Sequence, residues 1–328
     1  MYQMMSLPLY SGTLGEYNSW RDLGQELERL GCDGIEGVWG GEDLPKDLPA
    51  ELILGYHLIF YPDWLDFYRD DRAALKQKFG SLEAVASFYG GLGPDTLLEQ
   101  YRADLRRAVN LGARYVVFHV SDVSLEEGYT YRWLPTNQEV IDAAVEVVNL
   151  ILGEERWPFE FLVENQWWPG FTFTEPEETA RLLEGIRFAG KGILLDTGHL
   201  MNACTELKTE AEGADYIRRM LNRHGSLAKW VRGVHLHQSL SGAYVKAHTG
   251  SLPAGLPEDY MERFGVSYQH ILQIDQHRPW TDPAILSVLE QIEPRYLTHE
   301  LSSRGRMARA EAVSIQTRLL RQGGRMRV

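Results

Sequence analysis

Across 328 residues the chain is 44% hydrophobic and carries a formal net charge of −13. That is ample apolar material for a large core, and the wrong sign for a protein that grips DNA or RNA mainly through phosphates. Two cysteines, Cys32 and Cys204, exclude a disulfide framework and a cysteine-ligated zinc motif. The opening MYQMMSLPLY has no basic n-region or long apolar core, and no run reaches the ~18–20 apolar residues of a membrane span. A cytoplasmic protein without membrane segments is therefore expected.

The first apolar run, MMSLPLY (4–10), is followed by DGIEGVW (33–39) and ILGYHLIF (53–60). Glu36 in the second reads as readily as a satisfied surface or salt-bridged group as a functional one. A long connection near 61–95, with Trp64, Phe67 and Tyr68, leads to apolar residues at helical spacing, Leu98, Tyr101, Leu105, Ala108 and Leu111. RYVVFHV (114–120) comes next, then a second amphipathic stretch, Ile141 to Ile151, with Asn137 at its N-cap position and Gly153 just past its end. FEFLVEN (159–165), GILLDTG (192–198) and VRGVHLH (231–237) precede a second long connection near 238–280, which carries Tyr244, Lys246 and His248. RYLTHEL (295–301) completes eight strand-like runs before a closing helical segment. Eight strands alternating with helices predict a single-domain (β/α)8 TIM barrel over 1–328. A doubly wound sheet is the alternative, but no GxGxxG follows a strand. The two long connections read as lids or substrate loops.

Aligned by their C-terminal ends, the strands bring His57, His119, Glu164, Asp196, His235 and Glu300 to one rim. Carboxylates crowded there would repel and desolvate one another, and a divalent cation reverses that balance. Without cysteine donors, Zn²⁺ or Mn²⁺ is favoured, with Co²⁺ or Fe²⁺ as alternatives. Asp196-x-x-His199 could be a capped turn, a weaker reading because the next helix is expected to begin well beyond it. His237 faces the same way as His235 and either lines the pocket or makes a structural hydrogen bond. His299 faces away from Glu300, as packing or at the surface. Asp275-Gln276-His277, just before Pro279, reads as loop chemistry, and His224 and His270 carry no functional claim.

The stretches GYHLIFYP, VVFHVSD, FLVEN, LLDTGHL, GVHLHQS and YLTHEL together resemble the xylose isomerase-like TIM barrels. These include sugar isomerases and epimerases and the endonuclease IV-type (AP endonuclease family 2-like) enzymes. The resemblance implies that Glu164, Asp196, His235 and Glu300 hold one ion, with Glu164 and Glu300 also moving protons. It implies that His57, His119 and a bridging Glu164 hold a second. His199 and His248 match two ligands of a third ion, but Lys246 stands where the family has an aspartate. That ammonium argues against the third site and leaves one to two ions.

The implied activity is metal-dependent isomerisation or epimerisation of a small sugar or polyol through an enediolate. The alternative is a two-metal hydrolase or phosphodiesterase. His199, Lys246, His248 and His237 are candidates for substrate or third-ion contacts. Trp64, Trp167 and Trp168 are candidate apolar substrate surface. A small molecule is the expected partner and nucleic acid is disfavoured, while substrate identity and oligomeric state stay open.

Overall fold

The computed structural model describes residues 1–322; residues 323–328, the end of the expected domain, lie outside the described residues. Eight parallel strands close on themselves in sequence order. They are β1 (Tyr2–Leu9), β2 (Gly34–Trp39), β3 (Ile53–His57), β4 (Tyr115–His119), β5 (Glu160–Glu164), β6 (Lys191–Asp196), β7 (Val231–His235) and β8 (Tyr296–His299). Helices cover their outer faces, so the strands are apolar on both sides instead of alternating. Several strands end earlier than their apolar runs. β3 stops at His57, and Leu58, Ile59 and Phe60 belong to the connection above the barrel. Among the described residues no helix is long and apolar enough to cross a membrane.

Met4, Leu54, Tyr115, Val117, Leu162, Leu194 and Tyr296 pack together inside the barrel and close its lower half. Gly55 makes room for one of them: a Cβ there would lie 2.3 Å from the Tyr115 hydroxyl. The Tyr115 ring crosses that gap, and its hydroxyl donates to Glu36 at 2.5 Å. The lumen is thus solid below and polar at its C-terminal end, where barrel enzymes place their chemistry.

Both long connections are largely helical. The first forms Leu65–Tyr68, Arg72–Phe79 and Leu82–Tyr89, and the second Gly242–His248 and Tyr260–Ile274. They meet through aromatic rings, Phe79 on Tyr260 at 3.8 Å between centroids and Phe88 on Phe264 at 5.5 Å. At the helix Asn137–Leu152 the cap is Thr136, whose hydroxyl accepts from the Glu139 amide. Asn137 instead donates its side-chain amide to Glu178.

Candidate metal centre

Strand register brings the six rim residues together. His57 and His119 end neighbouring strands, and their Nε2 atoms lie 3.0 Å apart. Glu164 ends the next strand, with Oε2 at 3.3 Å from His57 Nε2 and 3.0 Å from His119 Nε2. Its other oxygen lies 3.3 Å from His235 Nδ1. That nitrogen is also 3.6 Å from Asp196 Oδ2 and 2.9 Å from Glu300 Oε2. Glu164 therefore faces two groups of donors, His57–His119–Glu164 and Glu164–Asp196–His235–Glu300, each with donor atoms within 4.8 Å of one another.

A third group consists of His199, His237, Asp275 and His277. His199 Nε2 lies 3.2 Å, and His277 Nε2 2.5 Å, from Asp275 Oδ2. This corrects two expectations. Asp275 and His277 are part of the cluster and not plain loop residues, and the third donor group is built from them and not from positions 246 and 248. His248 and Lys246 are elsewhere: His248 bonds the Tyr244 carbonyl on its own helix, and Lys246 pairs with Glu206 at the surface. The helix after β6 also begins at once. Asp196 caps it, Oδ1 accepting from the His199 amide at 2.6 Å, and this single turn carries His199 to the cup. The cap and a donor role coexist because Oδ2 stays turned to the cluster.

Four of the imidazoles have an acceptor on the ring nitrogen that points away from the donor groups or between them. His57 Nδ1 bonds the Leu58 carbonyl, His277 Nδ1 the Glu300 carbonyl and His199 Nδ1 the Asn165 carbonyl. His235 Nε2 bonds the Glu36 carboxylate at 2.8 Å. His199 Nδ1 is shared further, at 3.0 Å from Gln166 Nε2 and 3.2 Å from Glu164 Oε1. Carbonyls and carboxylates only accept, so with a cation in the cluster each ring would keep its proton on the nitrogen facing that acceptor and offer the other as donor. Metal-binding histidines are oriented in this way. Glu36 thus has a role that its sequence context left open: fully buried, it also accepts from the Tyr115 and Thr298 hydroxyls.

Charge balance points the same way. Burial opposes ionisation of Glu164, but the neighbouring His119 and His235 hold its carboxyl well below the usual range. Burial likewise opposes a charge on His235, yet Glu300, Glu36 and Glu164 push it well above the usual histidine value. Positive charge is demanded at the centre, and protonated rings supply it only in part. Glu164 Oε2, Glu300 Oε2 and Asp275 Oδ1 are buried with no partner in hydrogen-bond geometry. A buried carboxylate oxygen left so is costly, and a cation is the partner that satisfies several at once. The donors fit divalent ions in as many as three positions.

His237 faces this centre: its Nε2 lies 2.8 Å from Asp196 Oδ2, and its ring stacks on His277 at 4.0 Å. Gly198 makes that position available, since a Cβ there would fall 2.0 Å from the His237 ring. His299 points outward but is buried, bonded to Gln316, and not at the surface. Trp167 and Trp168 line the cup above the donors. Trp64 does not: it is buried beneath the first excursion, where its indole nitrogen donates to the Ser121 carbonyl.

The family described as xylose isomerase-like TIM barrel matches residues 25–319. No curated protein matches the sequence. Among solved structures, a D-tagatose 3-epimerase-like protein is 16% identical, with 99% of this chain and 98% of that one covered and a TM-score of 0.52. Endonuclease IV from Thermus thermophilus is 15% identical, with 98% and 100% covered and a TM-score of 0.52. An IOLI protein with a binding zinc atom is 16% identical, with 98% of each chain covered and a TM-score of 0.50.

Proposed function

Since the chain belongs to the xylose isomerase-like TIM barrel family, we propose that it is a multi-ion hydrolase of phosphoesters, not a single-ion isomerase. The observation that carries this reading is the sharing of Glu164 between two donor groups, with Asp275 and His277 completing a third. A single-ion epimerase needs only the Glu164–Asp196–His235–Glu300 group. Nothing in that chemistry calls for His57, His119, Asp275 or His277 in the same cup.

In this reading His57, His119 and Glu164 hold one ion, and Glu164, Asp196, His235 and Glu300 a second. His199, Asp275 and His277, with His237 beside them, hold a third. The imidazole–carboxylate donors suit Zn²⁺ or Mn²⁺. When bound, the ions would supply Lewis acidity, lowering the pKa of a water and offsetting charge on the ester oxygens.

The protein's own part is to keep the donors converged. The Leu58, Asn165 and Glu300 carbonyls and the Glu36 carboxylate hold four rings in one orientation each. The apolar layer beneath closes the lumen to water from below. The test is incubation of zinc- or manganese-loaded protein with bis(p-nitrophenyl) phosphate in ¹⁸O water. Release of p-nitrophenolate with ¹⁸O in the phosphate product is expected. Silence there, together with solvent deuterium entering a C–H bond of a ketose, would replace the hydrolase reading with the isomerase one.

A further inference from the structure

The cup above the donors has a volume of about 540 Å³, the size of a small-molecule site. His57, His119, His199, Asp275, His277 and Glu300 are among the residues of its floor. Its walls are mainly aromatic and aliphatic, with Phe60, Tyr61, Phe88, Trp167, Trp168 and Tyr268 prominent. Among the described residues lining it there is neither lysine nor arginine. A site that tracks a nucleic-acid backbone needs cations along the strand. Here positive charge could come only from the floor.

The roof restricts size as well. The helix Tyr260–Ile274 is tied to the first excursion by Phe79–Tyr260 and Phe88–Phe264 ring contacts and by Arg263 donating to the Lys78 carbonyl. On its other side His270 bonds the Gly128 carbonyl and stacks on Tyr129 at 4.3 Å. The two excursions thus clasp over the rim.

Two rings remain open at the cup. Phe60 is 48% exposed although it stacks on His119 at 4.4 Å, and Tyr268 is 51% exposed on the roof helix. Large aromatic rings left to water directly above a donor cluster are surface awaiting a partner.

We propose that the substrate is a small phosphoester with a flat aromatic body, its phosphoryl oxygens at the donor floor and its ring against Phe60 and Tyr268. This rests on the hydrolase reading and adds the part of the molecule that does not react. The phosphoryl head would be recognised through the floor alone, and affinity beyond the head would come from ring burial.

Phenylphosphonate and methylphosphonate share a head that cannot be hydrolysed and differ in the body. Isothermal titration of each into zinc-loaded protein therefore reads binding apart from turnover. Phenylphosphonate is expected to bind about tenfold tighter or more, the effect of burying one ring against aromatic walls. Phe60→Ala and Tyr268→Ala, both at exposed positions, should each weaken phenylphosphonate more than methylphosphonate. Equal affinity for the two probes would overturn the aromatic-body proposal and leave the phosphoester reading standing. Binding of neither, by protein shown to hold zinc, would overturn both. Displacement of phenylphosphonate at lower concentration by a short duplex with an abasic-site analogue would overturn the small-molecule assignment.

Discussion

Glu164→Gln tests the architecture most directly, because one carboxylate serves two of the three donor groups. The amide keeps the shape but loses the charge and one of the two acceptor oxygens, so it cannot bridge two cations. Its loss should empty two groups, whereas Asp275→Asn should empty only the third. The size of the effect follows from linkage. An ion present at about a hundredfold above its Kd adds about 2.7 kcal/mol to the stability of the folded state. At an unfolding entropy of about 2.1 cal/mol/K per residue, a chain of this length shifts its Tm by about 1.5 °C per kcal/mol. Three occupied groups then raise Tm by about 12 °C, Asp275→Asn by about 8 °C and Glu164→Gln by about 4 °C. The assay is calorimetry of chelator-treated protein with and without zinc, with bound metal counted by elemental analysis. Glu164→Gln retaining the wild-type ion count and thermal shift would refute the shared-carboxylate reasoning. Wild type that takes up no ion would refute the metal centre itself.

Three further outcomes are expected. His248→Ala should leave the zinc count unchanged while His277→Ala lowers it by one; elemental analysis showing the reverse would restore the rejected assignment of the third group. Glu36→Gln replaces an acceptor-only partner with one that can present its NH₂ to His235 Nε2, so zinc affinity at the Glu164–Asp196–His235–Glu300 group should fall by roughly 10–100-fold. Competition with a chromophoric chelator reads that change, and an unchanged affinity would reduce Glu36 to packing. Burial holds the pKa of His224 below the usual histidine value, against the raising effect of its bond to the Met220 carbonyl. A depressed folded-state pKa means the unfolded chain binds the proton more readily. The contribution of His224 is thus complete above the ordinary value of 6.5 and is lost as pH falls below it. The stability gap between wild type and His224→Gln, from urea unfolding, should narrow from pH 8 to pH 5.5; a constant gap would count against it.

Which donors were legible in the sequence depends on what places them. His57, His119, Glu164, Asp196 and His235 end strands, and parallel pairing fixes their heights, His119 opposite Glu164 and Asp196 opposite His235. Counting along apolar runs therefore finds them, and Glu300 follows one residue after β8. Asp275 and His277 lie far beyond β7, and their approach to His199 depends on how the helix Tyr260–Ile274 packs across the rim. No local periodicity encodes that packing, and the family resemblance pointed instead to His248, which the intervening helix Gly242–His248 turns away. A weak signal was present: Asp275-x-His277 puts two donors close together just before a proline.

Glu36 failed for a different reason. A carboxylate in a strand has two faces to choose from, and both are covered in a closed barrel, so the choice belongs to a partner across the lumen. That partner is Tyr115, admitted by the missing side chain at Gly55. Glycine on one strand and tyrosine on its neighbour are each ordinary alone. Together they form a bridge that exists only once the barrel has closed, and its product is the orientation of His235. Donors at strand ends are thus specified by local pattern, while the orientation of His235 and the approach of Asp275 and His277 to His199 are specified by contacts between residues tens of positions or more apart.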